Sequence, residues 1–268
     1  MPGTSGWQIR DGEQIIACNK RLLGRRHFSI GITRIRNEAL ILQDALDYVG
    51  GHVDAIVAYD DASTDRTLEI LGGHPKVALI VANRSWEADI EARRAAEGRH
   101  RGLLLQIARE HFQFEWIFCF DPDERVTGDM RGFMEQAHSS ECDGVRVQLF
   151  DAYMTPEDQA PYQANRELLG FRRFFGPERR DILMMWRNRL EVIFAKQPWA
   201  GAGWSRPRGD RSLLPTLWQV VVSRALGRDL RLLHATLSVR YLWTKMERPQ
   251  GSSNPHTVRL HAALVRMG

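Results

Sequence analysis

Residues 53–73 read VDAIVAYDDASTDRTLEILGG, from Val53 through Asp60 and Asp61 to Gly73. The apolar, partly β-branched run Val53–Tyr59 predicts a buried strand. It gives way to a polar turn, Asp60 to Asp65, and then to a short helix closed by two glycines. A strand that ends in carboxylates and turns straight into a helix is the opening of a strand–helix–strand unit.

The same change of period recurs on both sides. Upstream, FSIGITRI (Phe28–Ile35) predicts a strand, and Glu38–Val49 predicts a helix with Leu42, Leu46 and Val49 on one face. Downstream come the strand KVALIVA, a long charged helix over Ile90–His111, the strand EWIFCF, a helix over Met130–Ser139 and the strand GVRVQLF. Strands alternating with helices at this spacing imply an α/β fold: a mostly parallel central sheet with helices on both faces. Residues 1–27 precede the alternation as an N-terminal extension. Beyond Phe150 it fades into turns, arginines and tryptophans, an irregular C-terminal region.

At 268 residues and 43% hydrophobic, the chain has material for one sizeable core. No apolar run reaches the roughly 18 residues of a membrane span, since Leu217–Val222 soon meets Arg224. The first residues, MPGTSGWQIRDGEQ, lack the basic-then-apolar order of a signal peptide, so a cytoplasmic protein is expected. Cys18, Cys119 and Cys142 are odd in number and far apart, which suits packing thiols better than a disulfide or zinc framework. The net charge of +4 conceals an asymmetry: residues 165–248 hold 17 Lys and Arg against 7 Asp and Glu. Such a surplus fits a solvated face, a phosphorylated substrate or peripheral contact with an anionic membrane. Nothing resembles a groove-reading module, so nucleic acid is not expected as a partner.

A second acidic stretch, WIFCFDPDE (Trp116–Glu124), also leaves an apolar strand. Ligands of open parallel sheets bind at the carboxyl ends of the strands, so Asp60, Asp61, Asp121 and Asp123 are expected at one edge. Gathered carboxylates repel one another and call for a counter-charge. Hard oxygen donors in small number suit Mg²⁺ or Mn²⁺, which completes its shell with water and substrate phosphates. Each stretch also has a plainer reading: Asp-Pro-Asp as a turn, and Ser63, Thr64 or Asp65 as a helix cap.

The stretch from IRNEALILQ to RTLEIL, followed by EWIFCFDPDE, resembles the family 2 glycosyltransferases, nucleotide-sugar-dependent enzymes of the GT-A, Rossmann-like fold. Asn37, Glu38, Asp60, Asp61, Ser63 and Asp65 match the family's opening pattern, and Asp121 and Asp123 its Asp-x-Asp motif. The match spans roughly Ser29 to Glu124, over a third of the chain. The resemblance implies that residues 28–150 form the nucleotide-sugar-binding half and residues 151–268 the acceptor-binding part of the same domain. It implies that Asp61 accepts a hydrogen bond from the base, of UDP for instance, with Thr33, Arg34 and Arg36 walling the pocket. Asp123 would bind Mn²⁺ or Mg²⁺, and Asp121 the ribose or a metal-bound water. Arg99 or Arg101 would reach the nucleotide. His234, in RLLHATLSVRYLWTK, would complete the metal shell and Lys245 contact phosphate. Arg172, Arg173, Arg179 and Arg187 have the forked geometry for phosphate or an anionic acceptor.

Family members generally invert the anomeric carbon, so an acceptor hydroxyl would need a carboxylate base on the opposite face of the sugar. Asp151, Glu178, Asp181 and Glu191 are the candidates, with Glu178 favoured by its arginine neighbours. The acceptor is a small molecule, a lipid-linked sugar or a glycan. Two other functions stay open: a haloacid-dehalogenase-type phosphatase, which also ends a strand in Asp-x-Asp, and a non-catalytic nucleotide- or sugar-binding protein on the same scaffold.

Overall fold

A computed structural model of the chain describes residues 8–126, 128–153, 174–189, 192–194, 220–222 and 232–241. In chain order the elements are β1 (Glu13–Ala17), β2 (Arg26–Ile35), α1 (Leu42–Gly50), β3 (Ala55–Asp61), α2 (Thr67–Gly73), β4 (Val77–Asn83), α3 (Ile90–His111) and β5 (Gln113–Cys119). They continue with β6 (Glu124–Val126), α4 (Met130–Ser139), β7 (Gly144–Tyr153), β8 (Phe174–Arg187), β9 (Val192–Phe194), β10 (Val220–Val222) and β11 (Leu232–Tyr241). Nine strands form one sheet in the order β1-β4-β3-β2-β5-β8-β7-β11-β6. Its centre, β4-β3-β2-β5, is parallel throughout.

Outside that centre the sheet departs from the expected alternation. β8 runs antiparallel between β5 and β7, which leaves β7 and its parallel neighbour β11 pointing the same way as β5. The carboxyl ends of β2, β3, β4, β5, β7 and β11 therefore share one edge. Residues 1–27, expected as an extension, supply β1, which pairs antiparallel with β4 and brings Glu13 opposite Asn83 at that edge.

Alternation along the strands divides the core in two. Ile56, Ala58 and Phe118 face α1, α2 and α4, packing with Leu42, Leu46, Leu71, Met130 and Met134. Ile30, Ile32, Val57, Tyr59 and Ile117 face α3 and meet Leu103, Leu104, Ile107 and Ala108. Each fully buried aliphatic side chain contributes roughly 1.5–3 kcal/mol by leaving water. Gly31 is the one position on β2 where a side chain would intrude: a Cβ there would sit 3.2 Å from the Phe120 ring and 3.4 Å from Ile56. Phe120 thus folds over β2 and aims the chain that follows, Asp121 to Glu124.

The bounds of α3 and α4 agree with the apolar periodicity because each starts at an aspartate cap. Asp89 Oδ1 accepts from Ala92 N at 2.8 Å, and Asp129 Oδ1 from Gly132 N at 2.9 Å. The first helix begins at Leu42 rather than Glu38. Asn37 is left-handed (φ 54), and the amides of Glu38 and Ala39 are taken by Thr67 Oγ1 and Asp65 Oδ2 across the gap between loops. Among the described residues, no helix is long and apolar enough to cross a membrane.

Candidate functional site

Two loops leave the carboxyl edge side by side, one after β2 and one after β3, and side chains lock them together. Asn37 N donates to Ser63 Oγ at 3.0 Å, and Thr64 N to Asn37 Oδ1 at 2.7 Å. Asp65 Oδ1 accepts from Thr67 N at 2.9 Å while its other oxygen holds Ala39, so of the three candidate caps it is Asp65 that joins α1 to α2.

Successive residues of a strand point to opposite faces, and this separates Asp60 from Asp61. Asp60 turns toward α1 and α2. It is 2% exposed, Ser63 N donates to its Oδ2 at 3.3 Å, and its Oδ1 has no hydrogen-bond partner among the described residues. Burial raises its pKa above the usual carboxylate range, against the lowering effect of Ser63. Thr33 is fully buried, and its hydroxyl likewise lacks a partner among them.

Asp61 turns toward α3. Arg34 Nη2 donates to its Oδ2 at 2.5 Å and Asn83 Nδ2 to its Oδ1 at 3.1 Å, so the ends of β2, β3 and β4 meet on one carboxylate. Arg34 Nε donates to His100 Nδ1 at 3.2 Å. Arg36 donates to the carbonyls of Asp61 and Ala62 at 2.6 and 2.5 Å. Its guanidinium lies 3.7 Å over the ring of Trp86, which is 36% exposed at the mouth of the edge.

The two candidate arginines of α3 part company. Arg99 points to the N-terminal strand, donating to Glu13 Oε1 and Oε2 at 2.5 and 2.7 Å and to Gln8 O at 2.6 Å. Arg101 points to the Asp-x-Asp turn: its Nη2 donates to Asp121 Oδ1 at 2.7 Å and to Glu97 Oε1 at 3.2 Å, and its Nη1 reaches Cys119 Sγ at 2.7 Å. Burial works against the charge of Arg101, yet the carboxylates of Asp121 and Glu97 keep its pKa well above the ordinary value. Burial pushes the Cys119 thiol up to about 11, so it stays protonated beside that cation.

The turn itself is pinned from below. Asp121 O accepts from Glu124 N at 3.0 Å, and Arg125, 1% exposed, donates to Pro122 O and Glu124 O at 2.8 Å each. The same guanidinium holds Asp44 of α1, with Nε to Oδ2 at 3.1 Å. Asp121 and Asp123 remain half-buried. Two carboxylates flanking a proline on a tight turn are hard oxygen donors of the kind that fit Mg²⁺ or Mn²⁺ with a diphosphate completing the shell. Among the described residues no group of three or more His, Cys, Asp and Glu gathers as a metal cage.

The strand registers locate the remaining candidates. Asp151 of β7 pairs with Arg240 of β11, and Arg240 pairs with Glu124 of β6, so Asp151 shares a row with the end of the Asp-x-Asp turn. Glu178 follows Pro177, the partner of Phe150, while Asp181 pairs with Gln148, further from the edge. His234 pairs with Arg146 near the start of β7. It lies six residues before Arg240, roughly 15–20 Å along the strand, so the register does not bring it to the Asp-x-Asp turn. Arg187 donates to the carbonyls of Cys142 and His138 at 2.9 and 2.6 Å, which closes the end of α4 instead of facing an anion. Lys245, Glu191, Arg172 and Arg173 lie outside the described residues.

Sequence reasoning passed over Asn83, Trp86, His100 and Arg125. Asn83 was available from the strand-end rule that selected Asp61. His100 sits between the two arginines already singled out, and Arg125 directly follows the acidic turn.

No family model matches the chain, and no curated protein matches it in sequence. Among solved structures it is similar to residues 1–349 of Staphylococcus aureus TarS in complex with UDP, at 18% identity and a TM-score of 0.35. That match covers 50% of this chain and 39% of the TarS chain. It is also similar to a 4-diphosphocytidyl-2C-methyl-D-erythritol synthase from Anaerococcus prevotii, at 12% identity and a TM-score of 0.37, covering 78% of this chain and 88% of that one. Likenesses of this strength carry no argument about activity. What stands is the chain's own architecture, an α/β fold whose central parallel strands deliver two acidic turns to one edge.

Proposed function

We propose that the chain is a nucleotide-sugar-dependent glycosyltransferase of the family 2 type, inverting and assisted by a divalent metal. One observation carries the reading: Asp61 and Asp121 leave strands two apart in the sheet and are bound through successive residues of α3, Asp61 by way of Arg34 to His100 and Asp121 directly to Arg101. With strands about 4.8 Å apart, the two strand ends lie about 10 Å from each other, a span suited to a nucleoside diphosphate.

In this reading Asp61, oriented by Arg34 and Asn83, accepts from the base, and Arg36 with Trp86 borders the pocket. Asp123 and Asp121 would hold Mn²⁺ or Mg²⁺, whose charge would stabilise the departing diphosphate. Arg101 adds a fixed positive charge at the same turn and holds Asp121 at a set angle. Lys245 stays as a proposed phosphate contact of the C-terminal part, and His234, set back from the Asp-x-Asp turn by its register, is not carried over as a metal ligand. Among the base candidates, the row shared by Asp151, Arg240 and Glu124 supports Asp151 over Glu178 and Asp181. Residues 28–150 would then serve the donor and residues 151–268 the acceptor. The phosphatase reading is weaker, because Arg125 occupies the position where that family continues its motif and is buried against Asp44.

Calorimetry with UDP and Mn²⁺ tests the proposal. Wild type should bind, and Asp123→Ala should abolish the metal-dependent part of the affinity. Unchanged affinity in the variant, or hydrolysis of generic phosphate esters without nucleotide binding, would sink it.

A further inference from the structure

Between the edge strand and the candidate base pocket runs an unbroken line of buried polar contacts, of which the proposed chemistry uses only the inner end at Arg34 and Asp61. Arg99 clamps both oxygens of Glu13 on β1. Tyr59 OH donates to Glu13 Oε1 at 2.6 Å. The Tyr59 ring stacks on His100, with centroids 3.8 Å apart and planes 15° from parallel. His100 Nδ1 accepts from Arg34 Nε, and Arg34 Nη2 donates to Asp61. Tyr59, His100, Arg99 and Asp61 are each no more than 5% exposed.

The chemistry of each link is directional. A guanidinium held only at Nη2 can swing about that bond, whereas holding Nε as well fixes its plane. His100 supplies the second point, and only while Nδ1 is unprotonated, because a second N–H there would face the Arg34 N–H. Burial and the charge of Arg34 hold the imidazole in that form, with its pKa lowered from 6.5 to about 3. The stacked phenol fixes the plane of the imidazole, and Glu13 fixes the phenol.

We propose that His100 is a positioning residue for the Arg34–Asp61 pair, and that Glu13 of β1 acts on the same pair through Tyr59 and His100. The N-terminal strand is then part of the donor site without touching the donor. The assignment rests on the nucleotide reading above for its functional consequence, and on the contacts alone for the coupling.

His100→Phe keeps a ring on Tyr59 and removes the acceptor, and His100→Asn restores an acceptor near the position of Nδ1. UDP affinity with Mn²⁺, melting temperature and the NMR signal of the Arg34 Nε–H in nucleotide-free protein are measured together. His100→Phe should weaken UDP about tenfold, the size of one lost hydrogen bond. It should also move the Arg34 signal and lower melting by only the few degrees that about one buried hydrogen bond is worth, and His100→Asn should recover most of the affinity. Tyr59→Phe, which cuts only the hydroxyl link, should move the Arg34 signal less and serves if His100→Phe does not fold. An Arg34 signal unmoved in both Phe variants overturns the relay, as does His100→Asn binding UDP no better than His100→Phe. If wild type binds no nucleoside diphosphate yet the signal moves, the donor-site reading falls and the positioning of Arg34 by His100 stands.

Discussion

Arg125 shows how much a single buried side chain can organise. Its guanidinium reaches two carbonyls of the acidic turn and a carboxylate on α1, so it is charged, buried and paired at once. Removing one partner of such a pair leaves the other charge stranded, which costs about 3–5 kcal/mol. Asp44→Ala should therefore lower the unfolding free energy obtained by denaturant titration by an amount in that range, a large share of an ordinary domain's stability. Asp44→Asn keeps an acceptor oxygen and should cost less. A surface-like loss of a few tenths of a kcal/mol in Asp44→Ala would mean that Arg125 is not held as described. Read from the sequence, nothing marked Arg125 as the residue that holds the turn. Its partner is 81 residues away, and no local pattern announces a contact of that range.

Among the elements, those governed by short-range rules were legible and those governed by pairing were not. The ends of α3 and α4 follow from an aspartate cap and an apolar period, both local. β1 was missed because EQIIA alternates weakly and becomes a strand only by pairing with β4. The start of α1 was placed too early because its first amides are captured by Thr67 and Asp65 of another loop. Asp65 makes that element-level dependence testable. Asp65→Ala removes acceptors for Ala39 N and Thr67 N, and loss of a cap of this kind costs about 0.5–2 kcal/mol. Hydrogen exchange should quicken at the amides of Ala39 and Thr67, while α4, on the far side of that face, should keep its protection. Equal acceleration in α4 would show that the two loops do not form a local unit.

At the scale of the whole molecule, the site was legible where strand ends define it and illegible where distant strands meet. The carboxyl-end rule put Asp60, Asp61, Asp121 and Asp123 at one edge, where the sheet order also has the ends of β3 and β5, yet the registers that set Asp151 in the row of Glu124 and His234 six residues back from it are products of the full sheet order. The buried network around α3 gives the molecule a predictable response to acid. His100 is surrounded by Arg34, Asp61, Tyr59, Glu13 and Arg99, and burial first, then Arg34, depresses its folded pKa to about 3 from 6.5. The unfolded chain binds a proton at this histidine between those values and the folded protein does not. Stability is therefore lost as pH falls through that window, at up to about 1.4 kcal/mol per pH unit. Glu13 adds the same sign lower down: burial raises its pKa, but Arg99 and Tyr59 overcome this and bring it from 4.5 to about 2. Asp60, raised by burial, opposes both at acid pH. Between pH 7.5 and 5.0 His100 alone accounts for about 2 kcal/mol. Urea titrations at those two pH values should show wild type losing about that much more than His100→Phe, which has no proton to gain. Equal losses in the two proteins would mean that His100 titrates in the folded state, and that the imidazole is not the neutral acceptor on which Arg34 depends.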